Sequence, residues 1–240
     1  MYSMAAPHAK GKSAEDNIFA ANNRAIALAE KIGTENVVNA TVGSILDEDG
    51  SLVVLDVVKE ALSALTPKEM CAYAPIQGYR AFLDACIDQC FGKSRPEGYI
   101  DACSTPGGTG VLHHVVHNYS EVGDEVLISD WHWGAYDSLI DDNNRKVRTF
   151  SLLTEDGHFH AADFKEKVED ILSRQDNIVI ILNGIANNPT GYCLSDEEWQ
   201  AAIDVLKEAV KDETKKAILV PDVAYLDYSG KKEECRKFFR

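Results

Sequence analysis

From residue 98 onward, short apolar segments alternate with segments of helical periodicity, and this alternation constrains the fold more than any other feature. Apolar runs of strand length predict buried strands, and apolar residues recurring every three or four positions predict amphipathic helices. The predicted strands are residues 99–104, 125–129, 146–152, 177–183 and 216–221. The predicted helices lie near residues 109–119, 134–142, 161–174 and 195–212. This order indicates an α/β fold with three α/β/α layers, in which helices cover both faces of a mostly parallel sheet.

The N-terminal part of the chain is predicted to add an arm and further helices. Residues 14–32 and 54–65 have helical patterning, the first only loosely. Between them, residues 47–50 (DEDG) are a polar segment typical of a turn. A third helix is predicted over residues 79–91, where apolar residues form one stripe.

The acidic composition disfavours several kinds of partner. The formal net charge is −15 at pH 7, whereas nucleic acid and anionic membrane surfaces both bind basic patches. No apolar run approaches the roughly 18 residues that a membrane span needs. Residues 1–13 also lack the apolar segment of a signal peptide. The six cysteines form no C-x-x-C pair, so we expect reduced thiols in a cytoplasmic protein.

The loops that follow the predicted strands are where a ligand is expected, because parallel sheets bind ligands at the carboxyl ends of their strands. Residues 104–110 (STPGGTG) contain three glycines and precede a helix. Glycines let a backbone approach a ligand closely, and the free amides at a helix N-terminus suit a phosphate, to which Thr109 adds a hydroxyl. A tight turn without a ligand explains this segment alone equally well.

Two further loops carry aromatic and amide side chains. Residues 130–136 (DWHWGAY) place two tryptophans after a strand. There they either stack on a flat ligand or fill the core, which is the commoner use. Residues 187–191 (NNPTG) combine turn residues with an asparagine amide that can donate to a ligand oxygen. For this segment alone, a turn and a ligand contact are about equally good interpretations.

The loop after the last predicted strand carries a carboxylate. Asp222 follows the buried run AILVP, where a carboxylate is costly to desolvate unless it has a cationic partner. A protonated ring nitrogen of a cofactor would be such a partner, and Tyr225 lies three residues further on. No metal site is predicted. His113 and His117 share a helix face, but no acidic residue accompanies them in a zinc-binding pattern, and packing explains them better.

Together and in this order, these loops resemble the class I/II aminotransferases, which are fold-type I pyridoxal-phosphate-dependent enzymes. The match is closest to the aspartate and aromatic aminotransferase branch. Its most specific part is residues 188–191 (NPTG) followed by residues 222–225 (DVAY), which match the N-P-T-G and D-x-A-Y pair of the family. Residues 104–110 resemble the phosphate-binding loop, and Trp133-Gly134 resembles the W-G segment.

The resemblance implies roles around the ring of pyridoxal phosphate. Asp222 would pair with the pyridine nitrogen and keep it protonated, so that the ring can act as an electron sink. Tyr225 and Asn188 would hydrogen-bond the phenolate oxygen of the ring. Trp133 would stack on the ring face.

The resemblance also implies how phosphate and substrate are held. Gly108 and Thr109 would hold the phosphate through backbone amides and a hydroxyl. The segment YAPIQG, which begins at Tyr73, resembles the Y-x-P-x-x-G segment of the family. Tyr73 would reach the phosphate of the neighbouring subunit, which makes a homodimer the expected form. The segment NATVG, which ends at Gly43, resembles the N-x-x-x-G stretch and would place Gly43 near the substrate carboxylate.

The chain departs from the family pattern at two places. Gly107 stands where many relatives have serine or alanine, so one hydroxyl contact to the phosphate is missing. Ala135 and Tyr136 stand where the aspartate branch often has asparagine and histidine. The second departure weakens an assignment to aspartate as substrate.

The resemblance places the lysine that binds the cofactor as a Schiff base beyond Arg240, so no catalytic residue is expected within the chain. Three lysines within the chain lie too close to Tyr225 in sequence to form this Schiff base, namely Lys231, Lys232 and Lys237. They belong to the charged run KKEECRKFFR, which is predicted to be a solvated surface segment.

The predicted organisation and function follow from these resemblances. Residues 1–47 would form an N-terminal arm and small-domain segment. Residues 48–240 would form a pyridoxal-phosphate-binding large domain that is C-terminally incomplete. The predicted activity is that of an amino-acid aminotransferase, which moves an amino group between an amino acid and a 2-oxo acid. The alternatives are another fold-type I pyridoxal-phosphate enzyme, such as a C–S lyase or a decarboxylase, and a catalytically inactive truncated domain.

Overall fold

The computed structural model describes residue 4, residues 6–10 and residues 17–240. The chain divides into two compact units, Met1–Ala72 and Tyr73–Arg240. The predicted boundary after residue 47 lies inside the first unit, and the assignment of residues 48–72 to the large domain stays a prediction. Within the described ranges, no helix is both long and apolar enough to cross a membrane.

The first unit consists of helices joined by turns. Its described α-helices are α1 (Asn17–Ile32), α2 (Asp56–Ala64) and α3 (Pro67–Cys71). Leu46 and Leu52 form an isolated antiparallel bridge across the polar turn at residues 47–50, which confirms the predicted turn. Helix α3 begins with a capping box, in which Thr66 and Glu69 satisfy each other's backbone amides. No residue of this unit whose exposure is described is buried. Its helices therefore depend largely on local interactions, such as the capping box of α3.

The second unit contains the predicted alternation of helices and strands. In order, its elements are α4 (Arg80–Phe91), α5 (Gly107–Tyr119), β1 (Glu125–Ser129), α6 (Ala135–Asp142), β2 (Lys146–Phe150), α7 (Ala161–Leu172), β3 (Asn177–Leu182), α8 (Asp196–Ala209), β4 (Lys216–Pro221) and α9 (Lys232–Cys235). The strands lie in the order β2-β1-β3-β4, and every neighbouring pair is parallel. The predicted parallel sheet is therefore confirmed.

Alternate residues of the central strands face two separate cores. On one face of the sheet, Leu127, Ile178 and Ile180 pack with helices α7 and α8. On the other face, Val126 and Val179 pack with helices α5 and α6. Each of these side chains is fully buried, and burial of one such side chain stabilises the fold by about 1.5–3 kcal/mol. Helices on both faces confirm the three-layer α/β/α architecture.

Residues 99–104 form no strand, so that part of the prediction was wrong. The segment joins none of the four strands of the sheet, and its last amide, that of Ser104, donates to the carbonyl of Gln77 at 2.8 Å. Tyr99, its largest side chain, is 94% exposed. An apolar run becomes a strand only where a neighbouring strand offers it backbone hydrogen bonds, and no strand among the described residues does so here.

The C-terminal charged run is only partly a solvated surface. Its lysines are exposed as predicted, but Arg236 is only 2% exposed and Phe238 stacks on Trp199 with ring centroids 4.9 Å apart. The Arg236 guanidinium donates to the carbonyl of Cys90 at 3.0 Å and to the Asp227 carboxylate at 2.5 Å. Because these partners satisfy the buried charge, the run docks on the core instead of extending into solvent.

Candidate active site

A cavity of about 190 Å³ lies at the carboxyl ends of strands β1, β3 and β4. Polar loops meet here because the strands are parallel, so the segments that follow them share one edge of the sheet. Six of the residues that the sequence assigns to a cofactor line this cavity. They are Gly108, Thr109, Trp133, Asn188, Asp222 and Tyr225.

Asp222 directly follows β4 and remains tied to the sheet. Its backbone amide donates to the carbonyl of Leu182 at 3.0 Å, which continues the pairing of β4 with β3. One carboxylate oxygen accepts from the amide of Ala224 at 3.0 Å. The side chain is half-buried, and among the described residues no cation forms an ion pair with it. A carboxylate in this position favours a cationic group in the cavity.

Asn188 and Tyr225 reach the cavity from different loops and meet there. The amide nitrogen of Asn188 lies 3.4 Å from the hydroxyl of Tyr225. Both groups can donate hydrogen bonds, and both lie beside Asp222 in the cavity lining. The arrangement therefore presents two donors to one oxygen of a ligand.

Two buried asparagines hold the loop that carries Asn188. The side chain of Asn183 accepts from the Asn188 amide at 2.6 Å and donates to the carbonyl of Asp222 at 2.9 Å. The side chain of Asn187 donates to the carbonyl of Trp131 at 3.2 Å and accepts from the Thr190 hydroxyl at 2.8 Å. Asn183 lines the cavity and was not predicted, although its position directly after a buried strand is the signal that could have revealed it.

Gly108 and Thr109 lie in the first turn of α5. The first amides of a helix have no partner within the helix, so they point their N–H groups outward and carry the positive end of the helix dipole. A Cβ added to Gly108 would meet no described atom within 4 Å. Gly108 and Thr109 both line the cavity, so an anionic ligand bound there can reach this end of the helix.

Trp133 lines the cavity from the loop before α6. The side chain is half-buried, and its ring meets the ring of Tyr136 edge-on with centroids 5.9 Å apart. Trp131 is 53% exposed and does not line the cavity, so the two tryptophans of this loop differ in their surroundings. Of the two tryptophans, only the second offers its ring to a ligand in the cavity.

Comparison with known proteins shows the family of the chain. The family model described as aminotransferase class I and II matches residues 35–237. The chain belongs to this family. The chloroplastic aspartate aminotransferase of Arabidopsis thaliana is 30% identical over 199 residues, which cover 80% of this chain and 42% of the relative. The aromatic-amino-acid aminotransferase of Escherichia coli K12 is 25% identical over 206 residues, which cover 82% of this chain and 49% of the relative.

Solved aminotransferase structures share the fold. The crystal structure of an aminotransferase from Anaerococcus prevotii has a TM-score of 0.95 and is 38% identical, covering 100% of this chain and 58% of that protein. An aromatic amino acid aminotransferase from Psychrobacter sp. B6 has a TM-score of 0.73 at 24% identity, covering 96% of this chain and 56% of that protein, which shows the fold alone. The chain spans about half the length of the curated relatives that it matches.

Tyr136 is a member of this candidate site that sequence reasoning missed. It lies in the first turn of α6, is only 1% exposed and lines the cavity. Its hydroxyl donates to the Asp222 carboxylate at 2.5 Å. Burial, and next the hydrogen bond to Asp222, raise the pKa of Tyr136 well above its ordinary value. The spacing of three residues from Trp133, close to one helical turn, is the signal that could have placed it here.

Two predicted site residues are not among those that line this cavity. Tyr73 is fully exposed at the start of the second unit and does not line the cavity, so its predicted contact with a neighbouring subunit stays a prediction. Gly43 belongs to the first unit, and its predicted place near the substrate carboxylate also stays a prediction.

The lysines near the end of the chain do not line the cavity. Lys232 donates to the side-chain oxygen of Gln89 at 2.7 Å, and Lys237 pairs with Glu234 on its own segment. Both are therefore engaged away from Asp222.

The histidines of α5 hold no metal-binding arrangement among the described residues. The rings of His113 and His117 stack with centroids 6.1 Å apart, and His113 is hydrogen-bonded to the Asn143 amide at 3.1 Å. The part of the chain that the structure describes contains no group of three residues placed to bind a metal ion.

A larger cavity, of about 330 Å³, lies between α4 and the segment that follows β4. Much of its lining is apolar or sulfur-bearing, as at Phe82, Cys86 and Leu226. Its two charged groups, Asp227 and Arg236, pair with each other at 2.5 Å. The carboxylate without a cationic partner, Asp222, lies instead in the smaller cavity, which is therefore the candidate active site.

Proposed function

We propose that this chain forms the pyridoxal-phosphate-binding part of an amino-acid aminotransferase, which moves an amino group between an amino acid and a 2-oxo acid. The observation that carries the proposal is Asp222, a half-buried carboxylate without a cationic partner among the described residues, facing a cavity with donors and an aromatic ring. Membership of the aminotransferase family supports the same activity.

The donor set of the cavity fits pyridoxal phosphate. The cavity of about 190 Å³ is smaller than the roughly 300–1,000 Å³ usual for drug-sized ligands, which suits a single substituted ring. When bound, the cofactor supplies an electron sink for the bonds at the amino-acid α-carbon. Asp222 accepts a hydrogen bond from the protonated ring nitrogen and keeps the proton there. Asn188 and Tyr225 donate to the ring oxygen, which they reach from two different loops.

The other lining residues bind and orient the cofactor. The amides of Gly108 and Thr109, with the Thr109 hydroxyl, bind the phosphate at the N-terminus of α5. Trp133 covers the ring and excludes water from that side. Gly43 lies near the substrate carboxylate in this proposal.

The active form that we propose is a cytoplasmic homodimer. Tyr73 and Ile76 are both fully exposed on one short segment, and such side chains favour a partner that covers them. In the homodimer, Tyr73 contacts the phosphate bound by the neighbouring subunit. Four of the six free cysteines are exposed, which suits a reducing compartment. Sedimentation velocity measures the oligomeric state directly.

Cofactor binding by the purified chain tests the proposal. We expect pyridoxal phosphate to quench the tryptophan fluorescence at one site per chain, since Trp133 lines the cavity. Asp222→Ala should raise the Kd by about tenfold or more, because a hydrogen bond to a charged group contributes roughly 1.5–3 kcal/mol. The control is Asp204→Ala, which removes an exposed aspartate from α8 and should leave the Kd unchanged. Absence of binding, or equal affinity of the Asp222→Ala variant, contradicts the proposal.

Covalent attachment and amino transfer are measured separately. A cofactor attached to a lysine gives a visible absorption band that borohydride abolishes, and no described lysine lines the cavity. We therefore expect the 240-residue chain to bind the cofactor without this band. A borohydride-sensitive band would show that one of the lysines of this chain binds the cofactor covalently. In a protein that carries both this chain and such a lysine, nitrogen from a ¹⁵N-labelled amino acid should appear in the new amino acid.

A further inference from the structure

The hydroxyl of Tyr136 joins two distant segments at the floor of the cavity. It donates to the Asp222 carboxylate at 2.5 Å, although the two residues are 86 positions apart in sequence. Tyr136 is 1% exposed, and its ring packs in the core that α5 and α6 form on one face of the sheet. A phenylalanine would fill the same volume, so packing alone does not explain the hydroxyl. A buried hydroxyl needs a hydrogen-bond partner, and its partner here is a carboxylate in the cavity.

The Asp222 carboxylate is held by one neutral donor on each oxygen. The amide of Ala224 donates to Oδ1 at 3.0 Å, and the Tyr136 hydroxyl donates to Oδ2 at 2.5 Å. Two donors on different oxygens fix the rotation of a carboxylate about its Cβ–Cγ bond. Because both donors are neutral, they leave the negative charge of Asp222 uncompensated, and each oxygen retains a further lone pair for a ligand.

We propose that Tyr136 is a positioning residue that holds the Asp222 carboxylate in the orientation in which it accepts the ring N–H of the cofactor. The inference rests on the proposed function, because it requires a protonated ring nitrogen in the cavity. Tyr136 acts through Asp222 and need not touch the reacting atoms.

The hydroxyl of Tyr136 stays a donor across the working range of pH. Burial and the hydrogen bond to Asp222 both raise the pKa of Tyr136, so the hydroxyl keeps its proton near neutral pH. The titratable groups that face it are Asp222, Tyr225 and His132, the last stacked on its ring with centroids 6.1 Å apart. Unlike an imidazole, whose charge changes near pH 6–7, a phenol holds the carboxylate without titrating in that range.

Binding of two ligands to Tyr136→Phe separates positioning from packing. The ligands are pyridoxal phosphate and its analogue in which C–H replaces the ring nitrogen. We expect the variant to bind pyridoxal phosphate about tenfold more weakly than the wild type, since it loses a hydrogen bond to a charged group. Its affinity for the analogue should equal that of the wild type, because the analogue makes no hydrogen bond to Asp222. A packing defect would weaken both ligands equally and would overturn the inference.

The matched control is Tyr192→Phe. The Tyr192 hydroxyl donates to the Glu198 carboxylate at 2.6 Å outside the cavity, so this variant removes the same kind of hydrogen bond from another pair. Its affinity for both ligands should match that of the wild type. If Tyr192→Phe lost as much affinity for pyridoxal phosphate as Tyr136→Phe, the cause would be a general loss of stability. That result would overturn the inference.

A second variant, Tyr136→His, tests the role of the neutral donor. Its affinity for pyridoxal phosphate should change through pH 6–7 more than that of the wild type, because an imidazole titrates there. An unchanged pH profile overturns the inference. If the wild type binds neither ligand, the proposed function itself is wrong. If the wild type binds pyridoxal phosphate and Tyr136→Phe binds it equally well, only the positioning role is wrong.

Discussion

At the scale of single residues, a carboxylate can connect several segments of the chain. Glu198 accepts hydrogen bonds from the Tyr192 hydroxyl at 2.6 Å, the Phe159 amide at 2.8 Å and the Ser195 amide at 2.8 Å. Burial disfavours the charged form of Glu198, but these hydrogen bonds outweigh it and lower its pKa. Asp222 also accepts hydrogen bonds from two segments, but unlike Glu198 it faces the cavity.

The lowered pKa of Glu198 predicts a pH-dependent contribution to stability. The ionised form stabilises the folded state above the ordinary pKa of about 4.5, and this stabilisation is lost as the pH falls through the lower folded pKa. Glu198→Gln should therefore lower the free energy of unfolding by about 2 kcal/mol at pH 7. The difference from the wild type should shrink below pH 4.5. Urea unfolding at pH 7, 5 and 3.5 measures this, and a difference that does not change with pH would contradict it.

At the scale of secondary-structure elements, close packing around α8 limits which residues the chain tolerates. Gly184, in the segment between β3 and α8, lies against the ring of Trp199. A Cβ at this position would come within 2.7 Å of that ring and 3.0 Å of the Leu194 side chain. The residue is therefore small because there is no room for a side chain, and its φ angle is not in the left-handed region.

Gly184→Ala should destabilise the protein by overpacking. Forcing an extra methyl into a packed core costs about 1–3 kcal/mol, and the rigid Trp199 ring leaves little room for relaxation. Gly134→Ala is the matched control, because its Cβ would meet no described atom within 4 Å and should change stability by less than about 0.5 kcal/mol. Thermal unfolding of both variants measures the difference. Equal melting temperatures would show that the loop moves aside freely.

At the scale of the whole molecule, the buried core lies in one of the two compact units. Both buried clusters belong to Tyr73–Arg240, and the described residues of Met1–Ala72 contribute none of the buried side chains. Stability against local opening depends on burial and on shared hydrogen bonds. The cavity lies in the unit with the buried core, which suits a site that must keep its geometry.

Amide hydrogen exchange should follow this division. We expect the amides of β1 and β3, the two strands with a hydrogen-bonded neighbour on each side and residues in both cores, to exchange slowest. The amides of α1, α2 and α3 should exchange orders of magnitude faster, because no side chain with described exposure in that unit is buried. Mass spectrometry of exchanged peptides compares the two units in one sample. Equal protection of the two units would contradict this prediction. It would mean that the first unit is stabilised without buried side chains of its own.

The local signals of the sequence were sufficient for much of the fold. Four strands, the helices between them and the turn at residues 47–50 were predicted from periodicity and turn chemistry. The residues assigned to the cofactor, apart from Tyr73, lie around one cavity, although their roles stay predictions. This was possible because parallel strands bring the loops after them to one edge of the sheet.

Only the tertiary structure decided features that depend on residues far apart in sequence. Residues 99–104 have a strand-like pattern, but none of the described strands lies beside them to pair with. Arg236 is buried because carbonyl groups of α4 and Asp227 satisfy its charge. Tyr136 belongs to the site because folding brings α6 against the end of β4. The sequence by itself determined the periodic elements, whose causes are local, whereas pairing and charge compensation require partners that only the folded chain brings together.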